Sequence, residues 1–163
     1  MHQTSASASP PALAGDLGVL RTQKLGDRST RLTRDASVVD LVAFVHVWFD
    51  LVADGQLRHA CDMLQPNTYG IRWSPDQLAS HVREVFGPDT QFGRAHPEGP
   101  IFSRVAAAIG NPAVSVVEFA DGSGFSVEHA VPLNGEYSDL TAQFEFRRVG
   151  PELSATLHDL HVL

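Results

Sequence analysis

The closing third of the chain carries three side chains that could do acid–base chemistry. His129, Asp159 and His161 lie in segments where apolar and polar residues alternate, as in β-strands with one buried face. A histidine with an unperturbed pKa of about 6.5 exchanges protons near neutral pH, and a carboxylate can orient its ring. We therefore take these three residues as the candidate catalytic groups.

The turn Asn134-Gly135 determines where His129 points. Both positions tolerate positive φ, so the dipeptide predicts a two-residue type I′ hairpin between two strands. The pairs that follow from this turn are His129 with Leu140, Val127 with Ala142 and Phe125 with Phe144. Because the partners of His129 and its neighbours are apolar, we expect His129 on the buried face.

The directions of Asp159 and His161 depend on the loop around Gly150-Pro151. A four-residue loop over 149–152 turns both side chains to the face of His129, opposite Ala142 and Leu140. A three-residue loop would turn inward a different set, namely Ser154, Thr156, His158, Leu160 and Val162. We prefer the four-residue loop because it buries the more apolar set. A bulge near Asp159 would change the phase.

Three roles are open to His129, Asp159 and His161. The histidines could be core or rim residues bonded to backbone carbonyls, an acid–base pair with the carboxylate, or part of a site with two histidines and one carboxylate for a metal. The chain has no zinc-ligand spacing, phosphate-binding glycine loop or hydrolase elbow. We therefore expect no resident metal and no cofactor.

Composition predicts one domain preceded by an arm. The chain has 163 residues with 43% hydrophobic content and a formal charge of −7, which suits a single core. Residues 1–34 carry five basic and two acidic side chains, so the remainder is near −10. We predict a flexible or extended arm over 1–34 and a domain over 35–163. An acidic body disfavours binding to nucleic acid.

The sequence also favours a cytoplasmic location. Cys61 is the single cysteine, which excludes an internal disulfide. The first residues lack a cationic signal-peptide region, and no apolar stretch reaches the length of a membrane span. We expect no contact with a membrane.

The segment between the arm and the hairpin predicts three helices. Apolar residues recur at helical spacing from Asp35 to the break at Asp54-Gly55, and a shorter helix is expected from about Gln56 to Leu64. The third starts at Ser74, with Pro75 in its first turn and Gln77 completing a capping box. A loop over 89–99 and strands over 101–109 and 113–119 follow. This order predicts an α+β fold in which three N-terminal helices pack on a strongly curved antiparallel sheet.

Over about residues 36–163 the chain resembles the NTF2-like, or SnoaL-like, superfamily. The resemblance rests on the segments FDLVADGQLRHACDMLQPN, AVSVVEFADG and LSATLHDLHVL. It implies the cystatin-like α+β cone of that superfamily, with a cavity for a ligand inside the cone. It also implies a homodimer formed through the outer face of the sheet.

The resemblance implies limited chemistry. Isomerase-type members carry a tyrosine on the first helix where Trp48 stands here, and a general-base aspartate where residues 65–69 offer no carboxylate. Dehydratase-type members use pocket histidines and an aspartate, similar in kind to His129, Asp159 and His161.

No motif decides whether the chain is an enzyme, and two functions are therefore carried forward. We expect a domain that binds an apolar small molecule, with a cofactor-free lyase or isomerase as the alternative. The residues predicted to bind the ligand are His46, Trp48, Tyr69, Trp73, Phe125 and Phe144.

Overall fold

The structure is a computed structural model and describes residues 31–162. This part of the chain forms four helices and one curled antiparallel sheet. The elements are β1 (Leu32–Thr33), α1 (Val38–Ala53), α2 (Leu57–Asp62), α3 (Pro75–Val85), α4 (Gln91–Ala95), β2 (Val114–Glu118), β3 (Gly124–Leu133), β4 (Glu136–Val149) and β5 (Glu152–Val162). The strand order is β1-β5-β4-β3-β2. The predicted α+β class with a curved antiparallel sheet is confirmed.

Capping side chains set where the two long helices begin. The Ser37 hydroxyl accepts a bond from the backbone of Asp40, and the Asp40 carboxylate accepts one from the Ser37 backbone. Ser74 and Gln77 form the same reciprocal box at the start of α3, as predicted. Each box satisfies two backbone donors that the first helical turn leaves free.

The main core forms between α1 and one face of the sheet, which we call the inner face. The rings of Trp48 and Phe144 meet edge to face at 5.3 Å, and those of Phe44 and Phe146 meet at 5.4 Å. All four side chains are buried. The inner face is therefore filled by the protein's own aromatic side chains.

The β3–β4 hairpin has the predicted turn and a shifted register. Asn134 and Gly135 have φ of 51° and 83°, as a type I′ turn requires. Between the pairs Ala130–Thr141 and Pro132–Tyr137, β4 holds two more residues than β3. His129 consequently pairs with Ala142 instead of Leu140. A shift of two residues keeps each side chain on its face, so the prediction that His129 faces the core is confirmed.

The pairing of β4 with β5 follows the predicted register near the turn and shifts by one residue further along the strands. Phe144 pairs with Leu157 as a four-residue loop predicts, but Gln143 pairs with Asp159 because His158 is an extra residue in β5. This bulge reverses the faces beyond it. Leu160 becomes a core residue at 1% exposure. The prediction that Asp159 and His161 point inward is therefore wrong.

Two segments between the helices and β2 also differ from expectation. The loop over 89–99 contains α4, so the described chain has a fourth, short helix. The strand expected over 101–109 is replaced by a 3₁₀ turn at Val105–Ala107 flanked by two isolated bridges. Most of the predicted arm lies outside the described residues, whereas Leu32 and Thr33 pair with Leu153 and Glu152 at the sheet edge.

Candidate functional site

His129, on β3, is fully buried and lies beside His46, on α1. Its Nε2 is 3.0 Å from Nε2 of His46, and its Nδ1 is 2.8 Å from the carbonyl oxygen of Ala130. The rings of Phe49 and Tyr137 lie 5.2 and 6.1 Å away between centroids. His129 is therefore held at both nitrogens and enclosed by rings.

The hydrogen bonds fix the tautomers of this pair. A carbonyl oxygen only accepts, so Nδ1 of His129 carries the proton and donates it to Ala130. In neutral His129 the other nitrogen, Nε2, is then an acceptor, and the N–H at Nε2 of His46 donates to it. His46 keeps a lone pair at Nδ1, where it can take up a proton without breaking the bond between the rings.

Burial opposes charge on both histidines. It lowers the pKa of His129; the bond to Ala130 opposes this with a smaller effect, and the nearby His46 lowers the pKa by a smaller amount still. Burial also lowers the pKa of His46, while the Asp50 carboxylate one turn along α1 raises it. Burial and Asp50 together raise the pKa of Tyr137. The cluster is consequently uncharged at its imidazoles near neutral pH.

The other two predicted catalytic residues lie on the outer face of the sheet. Asp159 is half-exposed, and its Oδ2 lies 3.3 Å from Nδ1 of His161. The backbone N–H of Leu160 donates to Oδ1 of the same carboxylate. The bulge at His158 places the sheet between this pair and His129, so the three predicted groups do not converge.

The residues predicted to bind a ligand separate into three environments. Trp48 and Phe144 are fully buried, and the Trp48 indole N–H donates to the carbonyl of Ala60. Phe125 packs at the margin of the core beneath the guanidinium of Arg148. Tyr69 is 82% exposed. His46, Trp73 and Phe125 are half-buried and retain contact with solvent.

Trp73 forms one wall of a surface cleft of about 290 Å³ between α2 and the start of α3. Its indole N–H donates to the carbonyl of Leu157 in β5, which fixes the ring. The other residues that line the cleft are Arg58, Cys61, Asp62, Arg72, Ser74 and Pro75. The volume lies just below the usual range for small-molecule sites, ~300–1,000 Å³.

Cys61 is a buried thiol that lines this cleft. Burial and the Asp62 carboxylate raise its pKa, against a smaller effect of Arg72 in the opposite direction. A thiol held in its protonated form is a poor nucleophile. The cleft is therefore suited to binding and not to thiolate chemistry.

Sequence reasoning named Trp73 but missed its neighbours in the cleft. Arg58 lies on α2 and Arg72 in the loop before α3, and no local pattern predicts that they share a cleft. A signal did exist for part of the histidine cluster, because His46 and Asp50 are four residues apart on one helix and so lie on one face.

Neither a metal site nor a membrane helix occurs in the described chain. Over residues 31–162, no three His, Cys, Asp or Glu side chains are grouped so that they could hold a metal ion. The helices in that range are too short or too polar to span a bilayer.

Comparisons with known proteins add no assignment to this geometry. No model of a protein family, no curated protein and no solved structure matches the chain.

Proposed function

We propose that this chain is a non-catalytic domain of the NTF2-like kind that binds a small, largely apolar molecule and self-associates through its sheet. The observation that carries the proposal is the cleft beside Trp73, where a fixed, half-buried indole borders a cavity of about 290 Å³. Indole rings supply large apolar contact area for a ligand. The curled sheet packed on α1 is compatible with the superfamily that the sequence resembles.

The proposed ligand site lies at the cleft and not inside the cone. Trp48 and Phe144, which were expected to line an inner cavity, pack directly on each other with centroids 5.3 Å apart. A ligand between them would have to displace close-packed aromatic contacts. Losing the packing of one buried aromatic side chain costs about 3–5 kcal/mol. The cleft needs no such rearrangement.

The alternative, a cofactor-free lyase or isomerase using a His-Asp acid–base pair, has weaker support. His129 faces the closed core, and Asp159 and His161 lie across the sheet from it. A general base must come within hydrogen-bond reach of the proton it removes. His46 is the half-buried member of the histidine pair, but it does not line the cleft beside Trp73.

Self-association is proposed for the outer face of β3, β4 and β5. Side chains of both signs alternate there, with Glu145 3.2 Å from Arg147 and 3.7 Å from His158. A two-fold contact places the same patch on both partners, so a face carrying both signs can pair its charges with those of a second copy. A cytoplasmic location remains part of the proposal, in keeping with the free thiol of Cys61.

Binding can be tested with N-phenyl-1-naphthylamine, a neutral aromatic probe that becomes fluorescent in apolar sites. The intact chain should bind it, and Trp73→Ala should weaken binding by about tenfold, equal to 1.4 kcal/mol. Tyr69→Ala is the matched control because Tyr69 is exposed outside the cleft. Trp73→Phe keeps a ring and should retain most of the affinity, which separates lost binding from lost folding. Absence of probe binding to the intact chain would refute the ligand-binding proposal.

Self-association can be tested by sedimentation equilibrium. Thr156 is paired with Glu145 on the outer face, so we expect a single chain to accommodate Thr156→Lys, whereas a second copy would meet the longer side chain. We expect the variant to be monomeric at concentrations where the intact chain is dimeric. Ser80→Lys, at an exposed position of α3, should leave the mass unchanged. A monomeric intact chain would contradict the proposal.

A further inference from the structure

The arginines of the described chain divide sharply by their partners. Of the nine arginines within residues 31–162, seven donate a hydrogen bond to another residue of that range: Arg31, Arg34, Arg83, Arg94, Arg104, Arg147 and Arg148. Arg58 and Arg72 donate none within that range. These same two arginines line the cleft beside Trp73.

The charge of the cleft is opposite to that of the chain. Two guanidinium groups and one carboxylate, that of Asp62, line it, whereas the chain as a whole carries −7. Cations grouped in a concave site raise the local concentration of anions and repel cations. A guanidinium also offers paired N–H donors that match the two oxygens of a carboxylate, sulfonate or phosphate.

The aromatic wall adds a second requirement on the ligand. Trp73 is fixed by its bond to the Leu157 carbonyl and by an edge-to-face contact with the ring of His81 at 5.4 Å. Its polar N–H is consequently used within the protein, and the ring offers the cleft apolar surface. A flat ring stacks on such a surface better than an aliphatic chain does.

We propose that the cleft selects a planar aromatic anion, with its ring on Trp73 and its charged group on Arg58 and Arg72. This inference rests on the proposed function, because it names the chemical class of the ligand for the same site. It predicts that charge on the ligand, and not apolar area alone, determines affinity.

Two probes that share one aromatic framework separate binding of the ring from binding of the negative charge. N-phenyl-1-naphthylamine is neutral, and 8-anilinonaphthalene-1-sulfonate carries a sulfonate on the same rings. The intact chain should bind the sulfonate about tenfold more tightly, as one hydrogen-bonded charge pair of about 1.4 kcal/mol would give. The Arg58→Gln, Arg72→Gln double variant should lose that difference while its affinity for the neutral probe stays within twofold. Arg94→Gln serves as the control, since Arg94 bonds to the Asp89 carbonyl outside the cleft.

The dependence of probe affinity on salt concentration separates a charge interaction from a purely structural role of the two arginines. Raising sodium chloride from 20 to 300 mM should weaken sulfonate binding to the intact chain and leave the neutral probe unaffected, because ions screen exposed charges. Equal affinity for both probes, or a double variant that binds the sulfonate as tightly as the intact chain, would overturn the anion proposal and leave the proposed function standing. Failure of both probes to bind would overturn both.

Discussion

Replacing His129 by phenylalanine tests the account of the histidine pair. The substitution keeps a buried aromatic ring but removes both nitrogens, so the carbonyl of Ala130 loses its donor and His46 loses its acceptor. An unpaired buried carbonyl costs about 1–3 kcal/mol. His46 is half-buried and can turn to water. The phenyl ring returns up to about 1 kcal/mol by burying more apolar surface. We expect a loss of about 1–2 kcal/mol in the free energy of unfolding at pH 8.

The pH dependence of this loss has a definite sign. Burial lowers the pKa of His129 and His46 in the folded chain below the unfolded value of about 6.5. Well above pH 6.5 both histidines are neutral in both states and contribute no slope. As the pH falls below 6.5, the unfolded chain takes up protons that the folded chain does not, so stability decreases until the folded pKa values are passed. Each histidine contributes at most about 1.4 kcal/mol per pH unit in that window.

The variant retains only the contribution of His46 to this slope. Its deficit relative to the intact chain should therefore shrink between pH 6.5 and pH 5. The assay is urea unfolding followed by tryptophan fluorescence at pH 8.0, 6.5 and 5.0. His59→Phe is the control, because His59 is exposed on α2, where it bonds to Gln56, and does not belong to the histidine pair. A variant more stable than the intact chain at pH 8, or one with an unchanged slope, would refute the reasoning.

Two further substitutions test the sheet. Gly124→Ala would place its Cβ 1.9 Å from the backbone oxygen of Phe146, so we expect a loss of at least about 3 kcal/mol or failure to fold, whereas Ser126→Ala on the same strand should stay within about 0.5 kcal/mol by urea unfolding. Asp159→Ala should likewise change stability by less than about 1 kcal/mol, because the carboxylate lies on the outer face; a loss above 3 kcal/mol would place it in the core and contradict the bulge.

The fold was largely predictable because its strongest signals are local. The capping box at Ser74 and Gln77 and the turn at Asn134-Gly135 each occupy four residues or fewer, and both are present as predicted. The register shift between Ala130 and Pro132 was harder to predict from the sequence. There the hydroxyl of Ser138 donates to the carbonyl of Val131 at 2.7 Å, so a side-chain bond satisfies a β3 carbonyl where the ladder is interrupted.

The bulge in β5 explains why the predicted catalytic trio did not form. Leu157 and Leu160 are three residues apart, so a regular strand would place them on opposite faces. Burying both is favourable by about 1.5–3 kcal/mol for the second leucine, and the extra residue His158 makes that possible. The carbonyls of both leucines also accept side-chain bonds, from Trp73 and His81. The three-residue leucine spacing was a readable signal, but these long-range partners were not.

The cleft depended entirely on contacts distant in sequence. Arg58 lies on α2 and Arg72 in the loop before α3, and the wall between them exists because the Trp73 indole is fastened to β5 eighty-four residues further along the chain. Secondary-structure propensity and hydrophobic periodicity do not predict contacts between residues so far apart in sequence. The site was found only once the tertiary structure placed these residues together.

The most direct test of the proposed binding site is an NMR titration of the indole N–H signals with N-phenyl-1-naphthylamine. The chain has two tryptophans, one sealed in the inner core and one on the cleft, so the two signals report on the two possible locations. We predict that the Trp73 signal shifts in proportion to bound probe while the Trp48 signal stays in place. A shift of Trp48 with Trp73 unmoved would put the ligand inside the cone and contradict the account.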